Sequence, residues 1–366
     1  MDRDIDFSNE AFHKNLGFPN APEISPRTGM VTNKFSPGTA LFWIPGFVLG
    51  QTVALASNTV VGGTLFLVDG YGLLPQLSVS VTAVCFSVLG LWFVFKTMSM
   101  WFSKKVTIFT TILLFCSTQL FYYTAIDPVN SHSISFLLSA LLFYQISRVL
   151  HSRITWKNVI PMGVTAGFLM LVRNQDLVVV LPIFITLFIV QKESLLHKLN
   201  WAILFSGSAF VVMGIQFLTT VTLFGVLGSP YLMRGEQLNW FKPDFIRVLF
   251  TLENGLFFFA PVLGFAVLFL IRKLKEKVTI LGTISLIAFL LQLYVVASWG
   301  PEIIGGPYGS RMFVSVLPQL SIAVAYFIDF LLKKLQKKQF VIVFLVLLLF
   351  FSSNMLLQTL IMLYRF

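Results

Sequence analysis

Charge is what this sequence has least of. Only 11% of its 366 residues are Asp, Glu, Lys or Arg, where a soluble domain carries roughly 25%. So few charges cannot clothe an ordinary water-facing surface. Histidine occurs four times and cysteine twice. Cys85 and Cys116 both sit inside apolar runs, which excludes a disulfide framework and a cysteine metal site. HExxH and CxxC spacings, a phosphate-binding glycine loop and a nucleophilic triad are also missing. The chain opens on MDRDIDFSNE, acidic where a secretory signal needs a basic start and an apolar core.

What is present is hydrophobic. Apolar residues make up 57% of the chain, and mean hydropathy is +0.85. The apolar runs are continuous and approach the ~20 residues that a helix needs to cross a bilayer. Transmembrane strands would alternate instead, so a barrel is excluded. The 40 phenylalanines suit lipid-facing and packed helix surfaces. The expected fold is all-α: a polytopic transmembrane helical bundle of about ten spans. They fall at 76–95, 106–122, 132–149, 158–172, 177–191, 200–226, 255–271, 278–297, 312–332 and 339–362. Residues 76–366 form this bundle, with an external loop at 227–254. Residues 1–75 form an outward-facing juxtamembrane segment.

The net charge of +11 is distributed by topology. Alternate connections are basic: KTMSMWFSKK at 96–105, RVLHSRITWK at 148–157, QKESLLHK at 191–198, RKLKEK at 272–277 and KKLQKK at 333–338. Basic loops stay cytoplasmic, so the charge marks orientation and nucleic acid is not an expected partner. The other connections, 123–131, 173–176, 227–254 and 298–311, then face outward. They carry most of the acids, among them Asp127, Asp176, Glu236 and Glu302. The helix at 76–95 must run inward to deliver Lys96, so the preceding residues start outside. Within 37–68, Pro37, Pro45, Gly46, Gly50, Gly62 and Gly63 interrupt the apolar run, which predicts re-entrant or interfacial helices. A charged tail outside the membrane, with nothing ahead of it to translocate it, leads to the expectation of one more span before residue 1.

Ionisable groups at a membrane edge are costly and tend to be functional. Four outward clusters qualify. Asp2, Asp4 and Asp6 open the chain, followed by Asn9 and Glu10. Carboxylates there can act as a general base or hold a divalent cation, or form a solvated tail. Asp127 precedes Pro128, which suits a turn as well as catalysis, and Ser131 is placed to cap the helix opening at His132. His132 could donate to a ligand or simply sit at the interface. Arg173, Asn174, Gln175 and Asp176 break an apolar stretch about twice a bilayer span, forcing a tight outward turn in which Arg173 could pair with Asp176. The last cluster is WGPEIIGGPYGSR at 299–311. Arg311 offers a planar fork suited to phosphate, and Glu302 and Tyr308 share its turn. The loop 227–254, with Trp240, Phe241 and Phe245 beside Lys242 and Arg247, reads as an amphipathic stretch on the outer leaflet. It could cover a site or guide a lipid.

These segments resemble the GT-C superfamily of integral-membrane glycosyltransferases, notably protein mannosyltransferases and aminoarabinose transferases. The likeness runs over about residues 2–325. It rests on DRDIDFSNE, NKFSPGTALFWIPGFVLG at 33–50, NSHSISFLLSALLFY at 130–144, GVTAGFLMLVRNQDLVVVLPI at 163–183, FTLENGLFFFAPVLGF at 250–265 and SWGPEIIGGPYGSRMFVSVLP at 298–318, in order. The resemblance implies a polyprenyl-phosphate sugar donor on the outer face of a multi-pass protein, as in a bacterial inner membrane. It also implies a glycan, lipid or protein acceptor, and transfer with inversion. A carboxylate, Asp4, Asp6 or Asp127, would deprotonate the acceptor. Substrate contacts would come from His132, Arg173, Glu302, Tyr308 and Arg311. In the family the catalytic Asp, usually followed by Glu, directly follows the first transmembrane helix; that helix and pair have no counterpart in this sequence, and Asp2, Asp4 and Asp6 match a stretch further along the loop. No cofactor is implied beyond a possible divalent cation. Two rival readings are a lipid or glycan transporter, though the halves show no internal symmetry, and a truncated noncatalytic relative in envelope assembly.

Overall fold

A computed structural model describes residues 23–190, 194–233, 235–277, 279–299, 308–349 and 356. The described residues are helical, with isolated bridges at Ile24–Val31 and Leu238–Trp299 and no strand. The longer helices are α1 Gly38–Val61, α2 Leu73–Ser99, α3 Lys104–Cys116, α4 His132–Val149, α5 Trp156–Val172, α6 Leu177–Val190, α7 Leu195–Phe224, α8 Pro261–Glu276, α9 Ile280–Ser298 and α10 Leu317–Lys334, with α11 over 337–349. Among the described residues, five helices are long and apolar enough to cross a membrane: α1, α2, α7, α9 and the unit Arg311–Lys334. Shorter apolar helices accompany them, as expected of an all-α integral membrane protein.

Local chemistry fixes many ends. Ser103 and Ser194 cap α3 and α7 by accepting from Val106 N and His197 N. Thr155 and Asn158 form a capping box at α5. The expected span 255–271 is split instead, into Leu256–Phe259 and α8. Ala260 leaves helical geometry at φ −134° and ψ 66° because Pro261 follows it. The expected span 106–122 likewise ends at Cys116 and resumes as the short helix Leu120–Ala125.

The largest departure concerns 37–68. Pro45, Gly46 and Gly50 lie within one continuous helix, α1. At least one of these glycines serves packing rather than a break. A Cβ at Gly50 would fall 2.6 Å from the Leu74 carbonyl oxygen, so its absence lets α1 and α2 touch backbone to backbone. Small residues at crossings are how helices associate in lipid, where burying apolar surface gives little gain.

Helix α10 is the hub, packed by α3, α4, α8 and α9. In the unit Arg311–Lys334, 83% of the apolar window is buried, against 17% in α1 and in α7, which lie at the periphery. Polar groups pin the hub. Gln319 accepts from Ser285 Oγ through its carbonyl at 2.7 Å and donates to Ser139 Oγ at 3.1 Å, tying α9, α10 and α4 together in an apolar interior.

Candidate functional site

At one end of the bundle the connections expected to face outward converge on a cavity of about 630 Å3. Its walls come from the N-terminal strap 33–43, residues 129–132, the turn after α5, the end of α7, Tyr231 and Glu236 of the loop, and Trp299, Arg311 and Met312.

The strap is anchored at several points. Thr28 Oγ1 donates to Leu223 O at 2.8 Å, and Lys34 Nζ bonds Glu236 Oε1 at 2.7 Å. Gly38 then meets the α5 backbone. A Cβ there would fall 2.5 Å from the Leu171 carbonyl oxygen, so only glycine lets the start of α1 close on the Arg173 turn.

The Arg173 turn is built from its four polar residues. Arg173 is extended at φ −148° and ψ 110°, ending α5, and Asn174–Asp176 form one 3-10 turn leading into α6. Asp176 is fully buried and accepts from Ser135 Oγ of α4. The Arg173 guanidinium does not bond that carboxylate, although Asp176 N donates to Arg173 O at 2.9 Å. Arg173 Nη1 meets His132 Nδ1 at 2.6 Å, and its Nη2 faces Met312 Sδ. A guanidinium only donates, so His132 Nδ1 accepts and the ring proton resides on Nε2. The start of α4 also differs from expectation. Ser131 makes no side-chain cap; Asn130 Oδ1 accepts from His132 N at 2.8 Å instead. Ser131 is itself helical at φ −75°, so the residue ahead of it reaches the free N–H.

Segment 308–312 is held from all sides. Tyr123 Oη donates to Tyr308 O at 2.9 Å, Gln119 Nε2 to Ser310 O at 3.1 Å and Gln292 Nε2 to Met312 O at 2.7 Å. Ser310 Oγ donates to Asn254 O at 2.7 Å. Tyr308 is buried, stacked on Tyr122 at 5.0 Å and edge-on to Phe259 at 5.1 Å. It was expected among the ligand contacts but does not line the cavity, because its ring is a core side chain that secures the turn. Among the described residues, the Arg311 guanidinium makes no hydrogen bond, although it lines the cavity.

The structure therefore brings His132, Arg173 and Arg311 into one cavity. Asp127 stands beside it, close enough for the charge of Arg311 to act on its carboxyl. Burial raises the Asp127 carboxyl above its ordinary range, and Arg311 opposes that rise. Burial likewise raises the Tyr231 phenol, opposed by Arg173. Asp4, Asp6 and Glu302 lie outside the described residues. Among those described, no three His, Cys, Asp or Glu side chains gather as a metal site.

Sequence reasoning missed Lys34, Tyr231 and Glu236 as cavity residues, and placed Gln175 in the outward Arg173 turn without giving it a contact. A partial signal existed for one pair: the strap holds a single base, Lys34, and Glu236 is one of three acids in the overlong loop, both on segments expected outside.

Residues 72–218 match the family model described as dolichyl-phosphate-mannose-protein mannosyltransferase. The protein is similar to membrane glycosyltransferases of the GT-C type. The matched stretch runs from the start of α2 into α7 and includes Asp127, His132 and Arg173, while Lys34 and Arg311 lie beyond it. No curated protein and no solved structure matches the chain.

Proposed function

We propose that the protein transfers a sugar from a polyprenyl-phosphate donor to a glycan, lipid or protein acceptor on the outer face of a bacterial inner membrane. The supporting observation is the cavity lined by Arg173, Arg311 and Lys34, at the bundle end carrying the connections that the charge pattern turns outward. Lys34 is neutralised by Glu236 and Arg173 is engaged by His132. Among the described residues of the cavity, Arg311 is the cation left to meet an anionic group.

In this reading a carboxylate takes the proton of the acceptor hydroxyl, and the oxygen attacks the anomeric carbon. The bond from that carbon to the phosphate oxygen breaks, and prenyl phosphate leaves with the electron pair. A single displacement inverts the anomeric centre. Asp127 is the candidate base beside the cavity, with Asp4 and Asp6 as the others. Its raised pKa leaves it a better proton acceptor than an exposed Asp, once ionised. Arg311 stabilises charge developing on the leaving phosphate, while Arg173, held by His132, shapes the cavity wall beside it. Tyr308 contributes by fixing the Arg311 turn.

The test is turnover by the full chain in nanodiscs with a prenyl-phosphate hexose and a hydroxyl acceptor. Arg311→Ala should cut transfer by about 10²-fold or more, and Asp127→Asn should abolish it, while the protein still inserts. Unchanged activity in both variants would refute the site.

A further inference from the structure

A second cavity, of about 230 Å3, opens beside the first. The two share Arg173, Gln175, Tyr231, Glu236 and Trp299, which form a neck between them. Three neck residues each carry a polar atom that is shielded from water and lacks a hydrogen-bond partner among the described residues: Gln175 Nε2, Trp299 Nε1 and Glu236 Oε2. Buried polar groups are normally paired, so three orphans in one neck need a reason. Their chemistry is mixed. Gln175 and Trp299 donate, whereas Glu236 accepts. A phosphate would suit the two donors and be repelled by the carboxylate. Hydroxyl groups both donate and accept, so a polyol suits all three.

The size and walls of the smaller cavity point the same way. It falls below the roughly 300–1,000 Å3 typical of drug-sized ligand sites, which is room for one ring rather than a prenyl chain. Tyr231 and Trp299 meet edge to face at 6.0 Å, and Trp240, backed by Tyr294 at 5.7 Å, lines the smaller cavity. Aromatic faces beside hydrogen-bonding groups match the two sides of a pyranose: apolar C–H faces and a polar rim.

We propose that the neck and smaller cavity seat the neutral sugar ring of the donor, with Gln175, Trp299 and Glu236 bonding its hydroxyls. The seat is supported by the fold. Asn239 N donates to Ser298 O at 2.7 Å and Asp244 N to Ala297 O at 2.8 Å, latching the loop to the end of α9. Lys34 of the strap also holds Glu236. The phosphate then lies in the larger cavity towards Arg311. The proposal rests on the donor reading above.

The test is isothermal titration of the full chain in nanodiscs with two probes, a prenyl phosphate and the same prenyl phosphate carrying a hexose. The wild type should bind the hexosyl probe more tightly; equal affinities overturn the sugar seat. Trp299→Phe keeps the ring but removes the donor, and Gln175→Leu removes the amide. Each should weaken the hexosyl probe roughly five- to tenfold and leave prenyl phosphate unchanged. Equal losses for both probes would make the neck a phosphate contact, and no loss for either would leave it without a ligand role; both outcomes overturn the proposal. If the wild type bound neither probe, the donor reading itself would fail and the sugar seat with it. Thermal unfolding checks each variant, and the wild-type comparison holds even if a variant does not fold.

Discussion

The turns at 173–176 and 308–312 look alike in sequence: each sets one arginine among polar residues between two apolar helices. Folded, they differ. Arg173 is buried, 8% exposed, and spends its guanidinium on His132 and Met312 with buried Asp176 nearby. Around Arg311 the backbone is clamped instead, and the guanidinium stays uncommitted among the described residues. An arginine bonded to its own fold mainly positions its neighbours. One held only by its backbone is preorganised for a ligand, since little reorganisation is needed when charge develops.

That contrast can be broken by mutation. The largest effect is expected from Arg311→Ala, which should lower turnover by about 10²–10³-fold, as removal of a preorganised donor does, with little change in thermal unfolding. Arg173→Ala should show the opposite balance. It leaves buried Asp176 without its nearby cation, at a cost of about 3 kcal/mol, read as a large drop in unfolding temperature. If the two variants gave the same stability, the distinction between the turns would fail.

Gly38→Val tests the wall that joins α1 to the Arg173 turn. The side chain would collide with the Leu171 carbonyl, costing about 1–3 kcal/mol, and should open the cavity enough to weaken binding of a prenyl phosphate. The smallest effect is in pH dependence. Asp127 has a raised carboxyl pKa, held down in part by Arg311. The acid limb of activity should therefore lie above the ordinary carboxylate range. Residual activity in Arg311→Ala should have its limb at still higher pH, because a nearby positive charge is gone. For stability the sign is the reverse of a salt-bridged Asp. The protonated form is favoured in the fold, so this contribution is present at low pH and lost as pH rises through the folded pKa. Infrared titration of the carboxyl stretch follows the same group directly.

Much of the helical layout is legible in hydropathy alone. Span 132–149 coincides with α4, and 158–172 and 177–191 differ from α5 and α6 by two residues or fewer. Apolar runs of bilayer length have few alternatives, so length and composition suffice. The continuity of α1 was not legible. Pro45, Gly46 and Gly50 read equally as breaks or as close-packing positions, and the nearby α2 backbone decides between them. The burial of Tyr308 was illegible for a related reason: a tyrosine in a polar turn gives no sign of whether a stacking partner waits behind it.

The sequence by itself determined that this is an all-α membrane protein, which end carries the basic loops, and that Arg173 and Arg311 belong to the other end. Those properties follow from composition and order along the chain, which a bilayer reads directly. Only the tertiary structure decided which arginine is committed, that Lys34 meets Glu236 across some two hundred residues, and that Gln175, Glu236 and Trp299 share one neck. Such facts depend on contacts between distant segments, and no local pattern encodes who stands opposite whom once the helices pack.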